Sequence, residues 1–171
     1  MQGSSVNNLD LRNYLLEEDE YVIIKRNDIF PAYGVPSDLD IICKKMKPLA
    51  DKIKARHALN PFREYVTDDN HHQLDYHADG KLDFKFDLIA DISIFNDEQI
   101  SDKFIDEMLA SRERIDINNH IWWVPSLEYE VVIRLIEFKM YPHKIKHKNF
   151  VDKHIDAIGV KELLEQYNLE I

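Results

Sequence analysis

An α+β fold is expected for this chain of 171 residues, and three stretches carry the expectation. Asp38-Leu39-Asp40-Ile41 opens a short apolar run, as a strand with one polar and one apolar face would. Ala78-Asp79-Gly80 separates two runs of alternating polarity, a strong short-range hairpin signal. After Pro125-Ser126 the apolar spacing turns helical, with a break at Gly159. One compact unit is expected, with residues 1–124 as an α/β core and residues 125–171 as a helical extension packed on it.

Taken in order, Asn8–Glu18 carries Leu9, Leu11, Tyr14, Leu15 and Leu16 and predicts a first helix capped by Asn7 or Asn8. Tyr21–Ile24 is short and β-branched, hence a strand, and Asn27–Ser37, with two prolines and Gly34, is a loop. Leu39–Cys43 forms the second strand. Pro48 suits the first turn of a helix reaching about His57, with Ile53 inside and Lys47, Lys52, Lys54 and Arg56 outside. Phe62–Thr67, His71–Tyr76 and Lys81–Ala90 read as strands. In the last, Leu82, Phe84, Phe86 and Leu88 fall on one face, and Asp83, Lys85 and Asp87 on the other. Ser101, followed by Asp102 and Asp106, opens a helix with Phe104, Ile105, Met108 and Leu109 as its apolar stripe. Arg114–Ile117 and Ile121–Val124 make a second hairpin around Asn118-Asn119. Helices over Leu127–Met140, Asn149–Ile158 and Val160–Tyr167 complete the chain.

Composition narrows the function. The net charge of −10 argues against broad nucleic-acid binding, which needs a basic footprint. Cys43 is the only cysteine, so no disulfide framework exists, and a cytoplasmic location is expected. No apolar run reaches the length of a membrane span, and MQGSSVNN lacks the basic-then-apolar pattern of a signal peptide.

The chemistry centres on Asp38 and Asp40. Two residues apart in a strand, they share a face, and like charges that close repel unless a cation lies between them. A hard divalent ion such as Mg²⁺ (or Mn²⁺) answers this, because it takes oxygen ligands and keeps part of its coordination sphere for phosphate.

The order strand, loop, Ser37-Asp38-Leu39-Asp40-Ile41, helix, then Phe86-Asp87-Leu88-Ile89 resembles the DNA polymerase β-like nucleotidyltransferase superfamily. The resemblance implies a small mixed sheet of that type with flanking helices. It also implies metal-dependent transfer of a nucleotidyl group from a nucleoside triphosphate to an acceptor the sequence does not identify. Asp38, Asp40 and Asp87 would be the metal ligands, holding two Mg²⁺ ions, with Asp87 also accepting the proton of the attacking hydroxyl. Asp83 is the next candidate for the third ligand and Asp91 a more distant one. Val124–Ile158 looks like the helical tail of small bacterial nucleotidyltransferase-like proteins. By that likeness Lys139, Lys153 and Asp156 approach the site. The family carries Gly-Ser after its first strand; this chain carries Lys25-Arg26, which supplies phosphate-binding charge without the close backbone approach glycine permits. Lys25, Arg26, Ser37, Lys139 and Lys153 are the expected phosphate contacts. Two other readings accommodate the Lys25-Arg26 departure: a non-catalytic binding or antitoxin-like partner, and a phosphotransferase that decorates glycans. With the repulsion between Asp38 and Asp40 in view, Asp40→Asn is expected to leave the fold intact or more stable.

Other features read as ordinary structure. His71, His72 and His77 lack a zinc spacing and read as exposed hairpin histidines. Lys144–Lys148 reads as a solvated interhelical loop, with phosphate or nucleic-acid contact as the functional alternative. One of Trp122 and Trp123 is expected in the core, and Cys43 reads as a buried strand residue without a nucleophilic role.

Overall fold

Strand β2 (Ser37–Ile42) sits between β1 (Val22–Ile23), antiparallel to it, and β5 (Lys81–Ile89), parallel to it. The sheet continues through β4 (His71–Ala78) to β3 (Arg63–Asp68), both pairings antiparallel, giving a mixed five-stranded sheet in the order β1-β2-β5-β4-β3. This computed structural model describes residues 6–56 and 62–170. Helix α1 (Met46–Ala55) follows β2, and α2 (Glu98–Ala110) follows β5. A separate hairpin, β6 (Glu113–Ile117) with β7 (His120–Val124), precedes α3 (Leu127–Met140), α4 (Ile145–His154) and α5 (Val160–Gln166). The chain is therefore α+β, and among the described residues no helix is long and apolar enough to cross a membrane.

Alternation along β2 explains how the layers form. Leu39 and Ile41 enter one core with Ile23, Phe84, Phe86, Leu88, Trp122 and the α1 residues Leu49, Ala50 and Ile53. On the opposite face Ile42 joins Val22, Ile24, the α2 residues Phe104 and Met108, and the apolar faces of α3, α4 and α5 in a second core. Asp38 and Asp40 share that second face, nearer the start of the strand. Two of the hairpins, β4–β5 and β6–β7, turn through two residues of positive φ: Asp79 (52°) and Gly80 (77°), then Asn118 (57°) and Asn119 (58°). These are the backbone angles that match strand twist and that Asp-Gly and Asn-Asn tolerate.

Several elements differ from expectation. No α-helix spans residues 8–18; the segment holds a single 3₁₀ turn, Leu11–Asn13, capped by Asp10 rather than Asn7 or Asn8. Leu9, Leu11, Tyr14 and Leu15 are all buried, but side-chain acceptors compete for the backbone: Asp83 takes the Asn8 N–H (2.8 Å) and Asp19 the Leu16 N–H (3.0 Å). Asp97, not Ser101, caps α2, accepting from the N–H groups of Gln99 and Ile100. Ser101 is buried, and its hydroxyl donates to Asp91 (2.6 Å) while accepting from the Ile92 N–H (2.8 Å). Helix α4 starts four residues before the expected Asn149, absorbing most of the basic run. The expected end of α1 at His57 lies outside the described residues.

Candidate functional site

In-register parallel pairing of β2 with β5 sets Asp40 opposite Asp87 and Asp38 opposite Lys85, so all four side chains share one face. Asp38, Asp40 and Asp87 each offer a carboxylate oxygen within 4.8 Å of the others. They line a cleft of about 430 Å³, together with Ser37, Tyr33, His71, Lys25, Glu137, Lys144, Lys146 and His147. Burial is the main cause that pushes the Asp87 carboxyl above its ordinary range; Lys85 and His71 oppose it, and Asp40 and Asp38 reinforce it. Its Oδ1 is buried without a hydrogen-bond partner, and the Nε2 of His71 stands 3.4 Å away. Three carboxylates, one of them with an orphaned buried oxygen, suit a hard cation, whose octahedral shell sets ligand oxygens roughly 3–4 Å apart.

Lys25 is the cation at this cluster. Its Nζ lies 3.0 Å from Asp40 Oδ2 and 3.4 Å from Glu137 Oε2. Burial works against the ammonium, but Asp40 and Glu137 outweigh it and the Lys25 pKa is raised. The backbone at Lys25 turns with φ +54°, the left-handed region a glycine would enter freely. Helix α3 holds that turn. Glu130 accepts the Lys25 N–H at 3.1 Å, and Arg134 donates to Glu130 (2.6 Å) and to the Arg26 carbonyl (2.9 Å). The backbone donor at this turn is thus already taken by a carboxylate.

The other expected phosphate contacts divide. Ser37 opens β2 and lines the cleft. Arg26 turns away, its guanidinium 5.8 Å from the Phe30 ring centre, because the Lys25 turn separates the two side chains. Lys139 is not brought to the cluster; its ammonium donates to the Glu170 carbonyl. Two residues along a helix is a rotation of about 200°, so with Glu137 facing the cleft Lys139 faces away. Lys153 and Asp156 are exposed, Lys153 in the last turn of α4 and Asp156 beyond the helix, and line no part of the cleft. Asp83 is buried and bound to Asn8, and Asp91 holds Ser101, so neither joins the triad.

Three residues the sequence reading did not single out support the cleft, Glu137 by lining it and Glu130 and Arg134 by holding the Lys25 turn. Glu130, Arg134 and Glu137 form one stripe on a helix whose residues 129–136 are all buried. Charged residues recurring at that spacing within a buried helix are a legible signal of inward-facing polar groups. Lys144 bonds to Glu137, which burial would push up but Lys144 and Lys25 hold below its ordinary pKa. His72 is buried against Glu64 at 2.6 Å rather than exposed, and His71 reaches Asp87. Trp122 is buried in the core, and Cys43 is buried with its thiol pKa pushed up to about 12 by desolvation.

His147 is 2% exposed, and its pKa is pushed down to about 4, first by burial and then by Lys146 and Arg134, with Glu137 opposing. A folded-state value below the ordinary 6.5 means the fold favours neutral imidazole, so this contribution is complete above pH 6.5 and is lost as the pH falls toward 4. His147→Leu should therefore show a smaller fall in urea midpoint between pH 7 and pH 4.5 than the parent chain.

No protein-family model matches this chain, and no curated protein matches it.

Proposed function

We propose that the chain is a metal-dependent nucleotidyltransferase of the DNA polymerase β-like type. The observation that carries this reading is the convergence of Asp38, Asp40 and Asp87 on one face of adjacent parallel strands, within 4.8 Å. The order β1, loop, Asp-x-Asp strand and parallel third-ligand strand in a mixed sheet supports it. Asp38, Asp40 and Asp87 would hold Mg²⁺ or Mn²⁺, which when bound supplies charge to a phosphoryl group undergoing substitution. The acceptor hydroxyl bonds to the α-phosphorus, the bond to the bridging oxygen breaks, and pyrophosphate leaves. Asp87, whose burial favours the protonated form, takes the hydroxyl proton. Lys25 gives up Asp40 to the metal and keeps Glu137.

The test is Mn²⁺ binding followed by electron paramagnetic resonance, alongside pyrophosphate release from a panel of nucleoside triphosphates. Saturable binding with pyrophosphate release supports the reading. A second reading, a non-catalytic binding partner, is favoured by one observation: Lys25 already pairs with Asp40, and its N–H with Glu130. Absence of Mn²⁺ binding at millimolar concentration would select it.

A further inference from the structure

The wall of the cleft formed by α4 differs in chemistry from the acidic floor. Lys144 is the residue before the helix, and no side chain caps the first turn. The N–H groups of Ile145 and His147 already donate to the His143 and Lys144 carbonyls, but the helix start still carries partial positive charge that attracts anions. Lys146 lines the cleft, and among the described residues it forms no ion pair. His147, also lining the cleft, is 2% exposed and its Nδ1 has no hydrogen-bond partner. Burying a polar nitrogen unpaired costs free energy, and the cost is recovered when a ligand atom bonds it. A neutral imidazole can carry its hydrogen on Nδ1 and so act as a donor.

The cationic donors at the turn after β1 are already engaged. The Lys25 N–H is bound by Glu130, the Lys25 ammonium by Asp40 and Glu137, and Arg26 faces Phe30. We propose that the N-terminus of α4 is the subsite for the terminal phosphates of a nucleoside triphosphate, held by Lys146, Lys144 and Nδ1 of His147. The proposal rests on the nucleotidyl-transfer reading for the identity of the ligand, and moves its phosphate grip from the turn after β1 to the fourth helix. Lys144 exchanges Glu137 for the phosphate on binding, leaving Glu137 to Lys25.

Inorganic tripolyphosphate isolates this subsite from the rest of the nucleotide. Its binding to the full chain is measured by calorimetry in the presence of EDTA, and Mn²⁺ binding is measured separately. Lys146→Ala and His147→Leu are each expected to weaken tripolyphosphate at least tenfold with Mn²⁺ affinity unchanged. His147→Asn, whose amide can donate from the Nδ1 position, is expected to restore most of the loss. Lys146 is exposed, so its variant folds whatever His147→Leu does. Tripolyphosphate that does not bind the parent chain, or that binds both Lys146→Ala and His147→Leu as tightly as the parent, overturns the proposal. Loss of Mn²⁺ binding with tripolyphosphate binding intact would instead remove the metal-dependent reading and leave an anion site at α4.

Discussion

Asp87→Asn is expected to raise the melting temperature of the metal-free chain while removing its response to Mg²⁺ and Mn²⁺. Asp87 is the carboxylate whose Oδ1 is buried without a hydrogen-bond partner and whose pKa is raised by burial, with Asp40 and Asp38 adding to it. An amide of the same shape removes the buried charge and the repulsion. Because the folded-state pKa lies above the ordinary 3.8, the parent chain loses stability as the pH rises through that raised value. The advantage of the Asp87→Asn variant over the parent is therefore largest at neutral pH and fades below pH 3.8, where both unfolded and folded Asp87 are protonated. Under the nucleotidyl-transfer reading, turnover should fall by about a thousandfold or more, since the proposed metal position would be disabled rather than a single hydrogen bond. Melting curves at pH 7.5 and pH 3.5, with and without Mn²⁺, are the measurement. An Asp87→Asn variant that melts below the parent at pH 7.5 would mean the carboxylate is structural. Sequence alone has Asp40→Asn leaving the fold intact or more stable; the structure moves the stabilising change to Asp87, because Asp40 neutralises Lys25 at 3.0 Å and its loss would strand part of a largely buried ammonium.

Asp19→Ala should produce the largest loss of stability. The Asp19 carboxylate is fully buried and accepts from Arg56 (2.5 and 3.0 Å), Lys52 (3.0 Å) and the Leu16 N–H (3.0 Å). Burial alone would raise its pKa, but Arg56, Leu16 and Lys52 outweigh that and hold it below the ordinary 3.8. Removing the buried carboxylate strands Arg56, whose side chain is 18% exposed, so the cost lies at the lower end of the about 3–5 kcal/mol of a fully buried pair, which in a chain of this size lowers the melting temperature by roughly 10 °C. Since the folded-state value is depressed, the contribution is present above pH 3.8 and disappears as the pH falls through it. Asp51→Ala, at an exposed pair with Lys47 and Lys54, is the control and should change stability far less. Urea denaturation of both variants separates the cases; equal losses would mean the Asp19 cluster is not an anchor.

The parts of the fold with a strong local signature were legible. The Asp79-Gly80 and Asn118-Asn119 turns, the alternation of Lys81–Ile89 and the span of α3 all follow from backbone preference and period. The segment before Tyr21 was not, because its apolar residues fill a core without regular hydrogen bonding, the backbone instead finding Asp83 and Asp19. Among site residues, Asp38 and Asp40 could be paired by their period of two, and Asp87 was added by the family resemblance; the parallel register of β2 and β5 is what sets it beside them. Lys25 could be named as their nearest cation. Glu130, Glu137 and His147 could not be assigned a partner, since that depends on how α3 and α4 lie against β1 and β2, which no local spacing encodes. Lys139 was misplaced for the same reason: two positions along a helix reverse its direction.

The carboxylate clamp on Lys25 has a consequence for how the molecule is made. During vectorial synthesis the three aspartates have emerged once β5 is complete, whereas Glu130, Arg134 and Glu137 follow only after a further helix and hairpin. Until α3 docks, the left-handed turn at Lys25 lacks the Glu130 and Arg134 hydrogen bonds to its backbone, so the cleft takes its final shape late, by contacts spanning more than a hundred residues (105 between Lys25 and Glu130). A ligand that needs both walls of the cleft binds only finished chains, and by mass action it withdraws them from the unfolding equilibrium while leaving incomplete ones exposed to proteolysis.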